Sequence, residues 1–303
     1  MTNTMTHTTL PAGVGTALVT PFAAGGAIDH EALRALVRRQ HDVAFLVPVG
    51  STGEASTLSS EERVDVVRTV ASEARSNQPV VAGATSSDTR VAIESTRSMI
   101  EAGATHVMHA TPMYNRPPQR GLLAHFTAVA DRSTRPVLLY NVPGRTACTL
   151  EAETTLALAE HPNIIGIKEA SGDLALISEI LRHRPEGFRV YSGDDALTLP
   201  LVAMGADGVI SVVSNVVPGE MVDLVDASAS GSLDRARALH HTLTPLMDFA
   251  FIDSNPIPIK RVLAHMGVCE ATVRSPLDAM VGDQERPIGS LLDAVELARE
   301  EAA

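Results

Sequence analysis

The sequence predicts an α/β fold in which eight parallel strands close into a TIM (β/α)8 barrel, followed by a small C-terminal helical extension. Three observations predict it. Short apolar runs recur about every 25–35 residues with amphipathic stretches between them, the alternation of a parallel sheet. Eight such runs are present, the number at which a parallel sheet closes on itself. No polar linker or composition shift divides the chain before the eighth, and 303 residues at 45% hydrophobic suffice for one core of this size.

Taken in order, residues 1–12 are threonine-rich, without a basic segment or an apolar stretch, and read as a flexible tail and not a signal peptide. The barrel is expected over residues 13–228, with strands at 14–20, 45–49, 80–84, 106–110, 137–141, 164–169, 190–193 and 208–213. Asp29 reads as an N-cap, with Leu33, Leu36 and Val37 on the buried face that follows. Ser59 and Glu62 have the spacing of a capping box, and Val64, Val67, Ala71 and Ala74 are expected on one face behind it. After about residue 219 the alternation stops. Helical patterns at 233–251, 259–266 and 291–300 follow without strands between them, giving the last barrel helix and an extension over 229–303.

The formal net charge of −12 argues against nucleic acid or an anionic membrane as partner, and no apolar run has the length of a membrane span. An anionic substrate would therefore be gathered by a few local donors. Two cysteines, Cys148 and Cys269, are too few for a disulfide framework and fit a reducing cytoplasm. Of the 24 basic residues only Lys168 and Lys260 are lysines. A chain that meets its charge needs with arginine invites a chemical reason for a lysine in an apolar segment, because only an amine forms an imine.

Lys168 ends the run Ile164-Ile165-Gly166-Ile167-Lys168 at the C-terminal end of the sixth strand, where barrel active sites lie. Strand alternation puts it on one face with Gly166 and Ile164, the glycine leaving room beside it. Gly50-Ser51-Thr52-Gly53-Glu54 follows the second strand, and its glycines, amides and hydroxyls suit a carboxylate, though an ordinary βα turn looks the same. Tyr140 ends the fifth strand and Arg145 follows in a Pro-Gly turn; a proton-relaying phenol and a carboxylate fork compete with a core aromatic and a solvated arginine. Tyr114 lies in a proline-stiffened loop after the fourth strand, either projecting or anchoring. His106 and His109 face opposite sides of a strand and cannot share a metal, and Asp194-Asp195 reads as a helix cap. Lys260 falls in the first turns of a C-terminal helix and looks structural. Neither a dinucleotide fingerprint nor a Walker loop occurs.

Together, residues 50–54 with Leu58 and Glu62, residues 140–146 and residues 164–170 resemble, in order and spacing, the dihydrodipicolinate synthase / N-acetylneuraminate lyase family. Residues 192–195, 208–211 and 255–260 extend the resemblance, which runs from about Gly13 into the 260s. It implies a Schiff-base lyase without metal or organic cofactor. Lys168 would form an imine with pyruvate, Thr52, Tyr140 and Tyr114 would relay protons, and Ser51 and Thr52 would hold the pyruvate carboxylate. Gly193 and Ile210 would complete the substrate site. Arg145 implies the synthase branch, with aspartate semialdehyde as second substrate, since a bidentate arginine suits a small dicarboxylic product and is wasted on a polyol tail. Ser51, where most synthases have threonine, and Met113, where many have a second tyrosine, depart from that branch. A sugar-acid lyase, or an idle relative that senses a pyruvate-like acid, are the alternatives. The resemblance also implies a homodimer or a homotetramer built as a dimer of dimers, with Tyr114 reaching into a neighbour's site. At the second, lysine-binding site of some relatives, Ser87, Val91 and Met113 stand at the amide, carboxylate and tyrosine positions, which implies no feedback by lysine.

Overall fold

All eight apolar runs are strands, and all eight are parallel. They are β1 (Gly13–Ala17), β2 (Phe45–Val47), β3 (Val81–Gly83), β4 (His106–Ala110), β5 (Val137–Asn141), β6 (Ile164–Glu169), β7 (Arg189–Ser192) and β8 (Gly208–Ser211). The computed structural model describes residues 9–280 and 287–302. Sequential neighbours pair from β3 through β8, β8 pairs with β1, and β1 with β2. The ring closes between β2 and β3 through one parallel bridge, Leu46 to Val80, where the Leu46 N–H donates to the Pro79 carbonyl at 2.9 Å. The result is a TIM barrel.

Helices α1 (His30–Arg39), α2 (Ser60–Glu73), α3 (Thr89–Glu101) and α4 (Gln119–Arg132) follow the first four strands. A single turn, α5 (Pro143–Thr146), precedes α6 (Ala152–Ala159); α7 (Leu174–His183), α8 (Thr198–Ala203) and α9 (Pro218–Ala229) complete the ring. Asp29 caps α1 by accepting from Glu31 and Ala32, and Leu33, Leu36 and Val37 are its buried face. The capping box of Ser59 and Glu62 is present on α2. The fully buried residues there are Val66, Val67 and Val70; Val64, Ala71 and Ala74 pack only partly against the core. That face is centred about one position away from the expected one. Helix α9 is the eighth barrel helix, a role the sequence pattern assigned to residues after 229. The extension is α10 (Leu233–Phe249), α11 (Ile257–His265) and α12 (Ile288–Ala302).

Burial falls into two layers. One apolar cluster lies between strands and helices, and a smaller one fills the barrel, including Phe45, Val47, Val81, Met108, Leu138, Ile165, Tyr191 and Ile210. Strand parity sorts them: Val107 and Leu139 face the helices while Met108 and Leu138 face inward. Leu10, within the expected tail, belongs to the inner cluster and is fully buried, and the Tyr191 hydroxyl donates to the Pro11 carbonyl at 2.8 Å. The tail is therefore anchored at residue 10; residues 1–8 lie outside those described.

Candidate active site

Loops at the C-terminal ends of the strands surround a cavity of about 170 Å3. The turn after β2 is held in a strained shape. Val49 is β-branched yet has φ 58°, and Glu54 has φ 53°. Gly83 makes this possible, because a Cβ there would fall 2.1 Å from the Val49 carbonyl oxygen. The Thr20 hydroxyl clamps the turn from the other side, donating to the Gly53 carbonyl at 2.7 Å. Held this way, Ser51 and Thr52 line the cavity, and among the described residues their N–H groups donate to no backbone carbonyl. A ligand carboxylate would satisfy them.

Strands β5 and β6 place Tyr140 and Lys168 side by side as register partners, with Lys168 Nζ 4.5 Å from the centre of the Tyr140 ring. Lys168 is 4% exposed and, among the described residues, forms no ion pair. Alternation along β6 is not regular: the register shifts after its first pair, so that Ile165 turns inward and Ile164 joins the outer layer. Ile164 therefore does not share the Lys168 face, as simple alternation had it. Nor does Gly166 make room for Lys168. A Cβ on Gly166 would meet the Arg189 carbonyl oxygen at 2.4 Å, whereas one on Gly193 would meet Lys168 Cε at 3.0 Å. Gly193, after β7, is the glycine beside the amine.

Behind Lys168, Glu169 faces outward and is 1% exposed. Burial raises its pKa above the usual carboxylate range, against hydrogen bonds from Asn141 and Ser171 that lower it. Asn141 also accepts from the Leu150 N–H, so it ties the segment after α5 to the back of the site. Arg145 projects from α5 to the cavity mouth and donates to the Asn255 carbonyl at 3.4 Å.

Of the expected site residues, Ser51, Thr52, Tyr140, Arg145, Lys168 and Gly193 line one cavity. Ile210 does not; it is fully buried in the barrel interior, and Val212 lines the cavity on β8's side. Tyr114 does not either. Its ring is 96% exposed, at φ 72°, on a loop tied down by a Ser87 hydroxyl bond to the Met113 carbonyl and an Asn115 bond to Ser87. Asp194 caps the short turn after β7, and buried Asp195 accepts from the N–H groups of Val212 and Val213. His109 faces α3, bonded to Thr96, and burial pushes its pKa down to about 3.

Two features escaped the sequence pattern. Phe251 and Asn255 enter the cavity from the extension, and the Asn255 side-chain amide donates to the Thr52 hydroxyl at 3.0 Å. Lys260 is structural, and far more deeply placed than a helix turn suggests: fully buried, it bonds Glu54 at 2.6 Å and the Thr272 carbonyl at 2.7 Å. A buried glutamate directly after the Ser51-Thr52 turn was the available signal.

The profile of the dihydrodipicolinate synthetase family matches residues 10–295. The chain is 46% identical over 286 residues to the 4-hydroxy-tetrahydrodipicolinate synthase of Archaeoglobus fulgidus, covering 94% of this chain and 98% of that protein. Dihydrodipicolinate synthase from Aquifex aeolicus superimposes with a TM-score of 0.91 at 38% identity, over 94% of this chain and 98% of that one. The enzyme of Cyanidioschyzon merolae, solved with lysine bound, superimposes with a TM-score of 0.92 at 35% identity, over 95% and 99% of the two chains.

Proposed function

The chain belongs to the dihydrodipicolinate synthetase family, and from that premise we propose how its residues divide a pyruvate-dependent condensation among them. The reaction is the joining of pyruvate to aspartate semialdehyde to give 4-hydroxy-tetrahydrodipicolinate, on the route to diaminopimelate and lysine. The Lys168 amine attacks the ketone carbon of pyruvate and, with loss of water, forms an imine. The imine draws electrons from the methyl carbon, whose proton leaves through the hydroxyls of Thr52 and Tyr140. The resulting enamine carbon attacks the aldehyde, and the relay returns a proton to the aldehyde oxygen. The amino group of aspartate semialdehyde then takes the imine carbon, closing the ring and freeing Lys168.

Ser51 and Thr52 hold the pyruvate carboxylate, Arg145 holds that of the aldehyde substrate, and Gly193 leaves the space that the amine needs. Ile210 acts from beneath, as part of the floor. Tyr114 completes the relay in a neighbouring subunit of a homodimer or dimer of dimers. The enzyme needs neither metal nor organic cofactor, because the lysine is the electron sink, and it works in the cytoplasm. Among the described residues, no helix is long and apolar enough to cross a membrane.

The observation that carries this reading is an amine with no ion pair among the described residues, buried at a strand end against a tyrosine ring, in the same cavity as Thr52 and Arg145. Pyruvate with borohydride should add one reduced imine, on Lys168, and Lys168→Ala should lose both label and turnover. Label on Lys260, or no label, would remove the mechanism. Aspartate semialdehyde, not N-acetylmannosamine or glyceraldehyde, should accelerate pyruvate consumption.

A further inference from the structure

Asn255 is joined to both halves of the site. Its side-chain amide nitrogen lies 3.0 Å from the Thr52 hydroxyl oxygen, and its carbonyl accepts from Arg145. Both side chains are nearly sealed from solvent, Thr52 at 2% and Asn255 at 6% exposure. An amide nitrogen only donates, so the Thr52 oxygen must be the acceptor, and the Thr52 proton is left for another partner. The Asn255 side-chain oxygen is buried without a partner among the described residues. Turning the amide over would put two N–H hydrogens in that place without an acceptor, and would make Thr52 the donor; stranding a donor pair is the costlier arrangement. The backbone around Asn255 is also fixed: α11 begins two residues later, and Lys260 on it is bonded to Glu54, in the same turn as Thr52.

We propose that Asn255 is a positioning residue that gives the proton relay its direction. By donating to the Thr52 oxygen, it occupies that acceptor and leaves the Thr52 proton free to turn towards Tyr140 and Lys168 in the cavity they share. The proton taken from the methyl group of the pyruvate imine then has a hydroxyl chain already ordered for it. As the C–H bond breaks, its electron pair forms the C=C bond of the enamine and neutralises the imine nitrogen, and the proton passes along Thr52 and Tyr140 to solvent. The inference rests on Thr52 belonging to the relay.

Exchange of the pyruvate methyl protons for deuterium, followed by proton NMR in heavy water without aldehyde, reads this step directly. Asn255→Ala leaves the Thr52 hydroxyl free to rotate; exchange should slow at least roughly tenfold, while borohydride labelling of Lys168 by pyruvate stays near wild type. Asn255→Asp is the same shape with a carboxylate that only accepts. It reverses the hydrogen bond and pulls the Thr52 proton away from the cavity, so exchange should be slower than in Asn255→Ala by a further several-fold. A residue that merely filled space would give the opposite order, with the isosteric aspartate nearer wild type. Exchange at the wild-type rate in Asn255→Ala, or an aspartate variant as fast as the alanine variant or faster, overturns the proposal. Thr52→Val separates the two levels: full exchange there removes Thr52 from the relay and the inference with it. A crippled Thr52→Val with Asn255→Asp the faster of the two Asn255 variants removes the inference alone.

Discussion

Gly193 bears most directly on the amine. A methyl group there would stand 2.7 Å from Ala170 Cβ and 3.0 Å from Lys168 Cε, so either the strand end or the lysine must move. Gly193→Ala should therefore fold, yet label with pyruvate and borohydride at least roughly tenfold more slowly, since a small misplacement of a reacting group is costly. Arg145 acts later. Arg145→Ala should keep imine formation and lose about 2–3 kcal/mol in kcat/KM for aspartate semialdehyde, tens- to a hundredfold. Equal use of the aldehyde by this variant would take away the reason for a dicarboxylate-binding site. Single residues differ in how far the sequence reveals them. Lys168 stands out because only two lysines occur, and Thr52, Tyr140 and Arg145 because each sits at or just after a strand end with its neighbours in order. Asn255 lies in a stretch that extends the resemblance, but its tie to Thr52 is invisible to any local pattern, since the two are 203 residues apart. Gly166 was legible as a glycine but not in purpose, because the bulge on β6 breaks the alternation that assigned its face.

At the scale of elements, the C-terminal extension is latched to the loop after β2. Lys260 on α11 donates to Glu54 and packs over the Phe22 ring, which Arg274 also covers at 4.4 Å; Arg274 in turn grips Glu62 at the start of α2. Removing one member of a buried pair strands the other, so Lys260→Met should destabilise the fold by about 3–5 kcal/mol in urea titration. The latch has a surface half that responds to acid. The Arg274 guanidinium, helped by the Ser59 N–H, holds the Glu62 carboxyl down at about 2. A depressed carboxyl stabilises the folded state above its ordinary pKa and loses that contribution as pH falls towards its folded value. Arg274→Ala should therefore flatten the loss of stability between about pH 5 and 2, modestly, because Glu62 is partly exposed to solvent. Elements were the most legible level: apolar period and caps locate eight strands and α1 to within a few residues. Helix α9 was not seen, since Pro218 and Gly219 open it without a capping side chain. What the sequence could not convey is the latch, which exists only once the chain has closed its ring.

For the whole molecule, the exposed Tyr114 ring tests the proposed pairing of subunits. If it serves a neighbour, Lys168→Ala and Tyr114→Phe should complement each other when co-expressed. Random pairing makes half the dimers mixed, each with one intact site, so roughly a quarter of wild-type activity should return. Confirmed mixed dimers without activity would leave Tyr114 as a local anchor. The same loop bears on feedback. Met113 and Val91 are exposed apolar residues, and the Ser87 hydroxyl is already bonded to the Met113 carbonyl. A lysine zwitterion finds no carboxylate at these positions for its ammonium, and millimolar lysine should leave the rate unchanged in a steady-state assay. A clear inhibition curve would show that lysine is bound by other residues.

Both lysines lie inside the protein, so in the alkaline range the side-chain positive charge on its exterior rests on guanidinium groups. Ordinary surfaces lose cations as their amines discharge near pH 10, whereas guanidinium stays charged beyond pH 12. The electrophoretic mobility of this protein should therefore stay nearly flat across the alkaline range in which lysine-rich enzymes drift towards the anode. Acylating reagents such as activated esters should find few targets beyond the chain terminus and the active-site amine. Pyruvate should shield the second of these, and a cross-linker that probes assembly must be aimed at carboxylates instead.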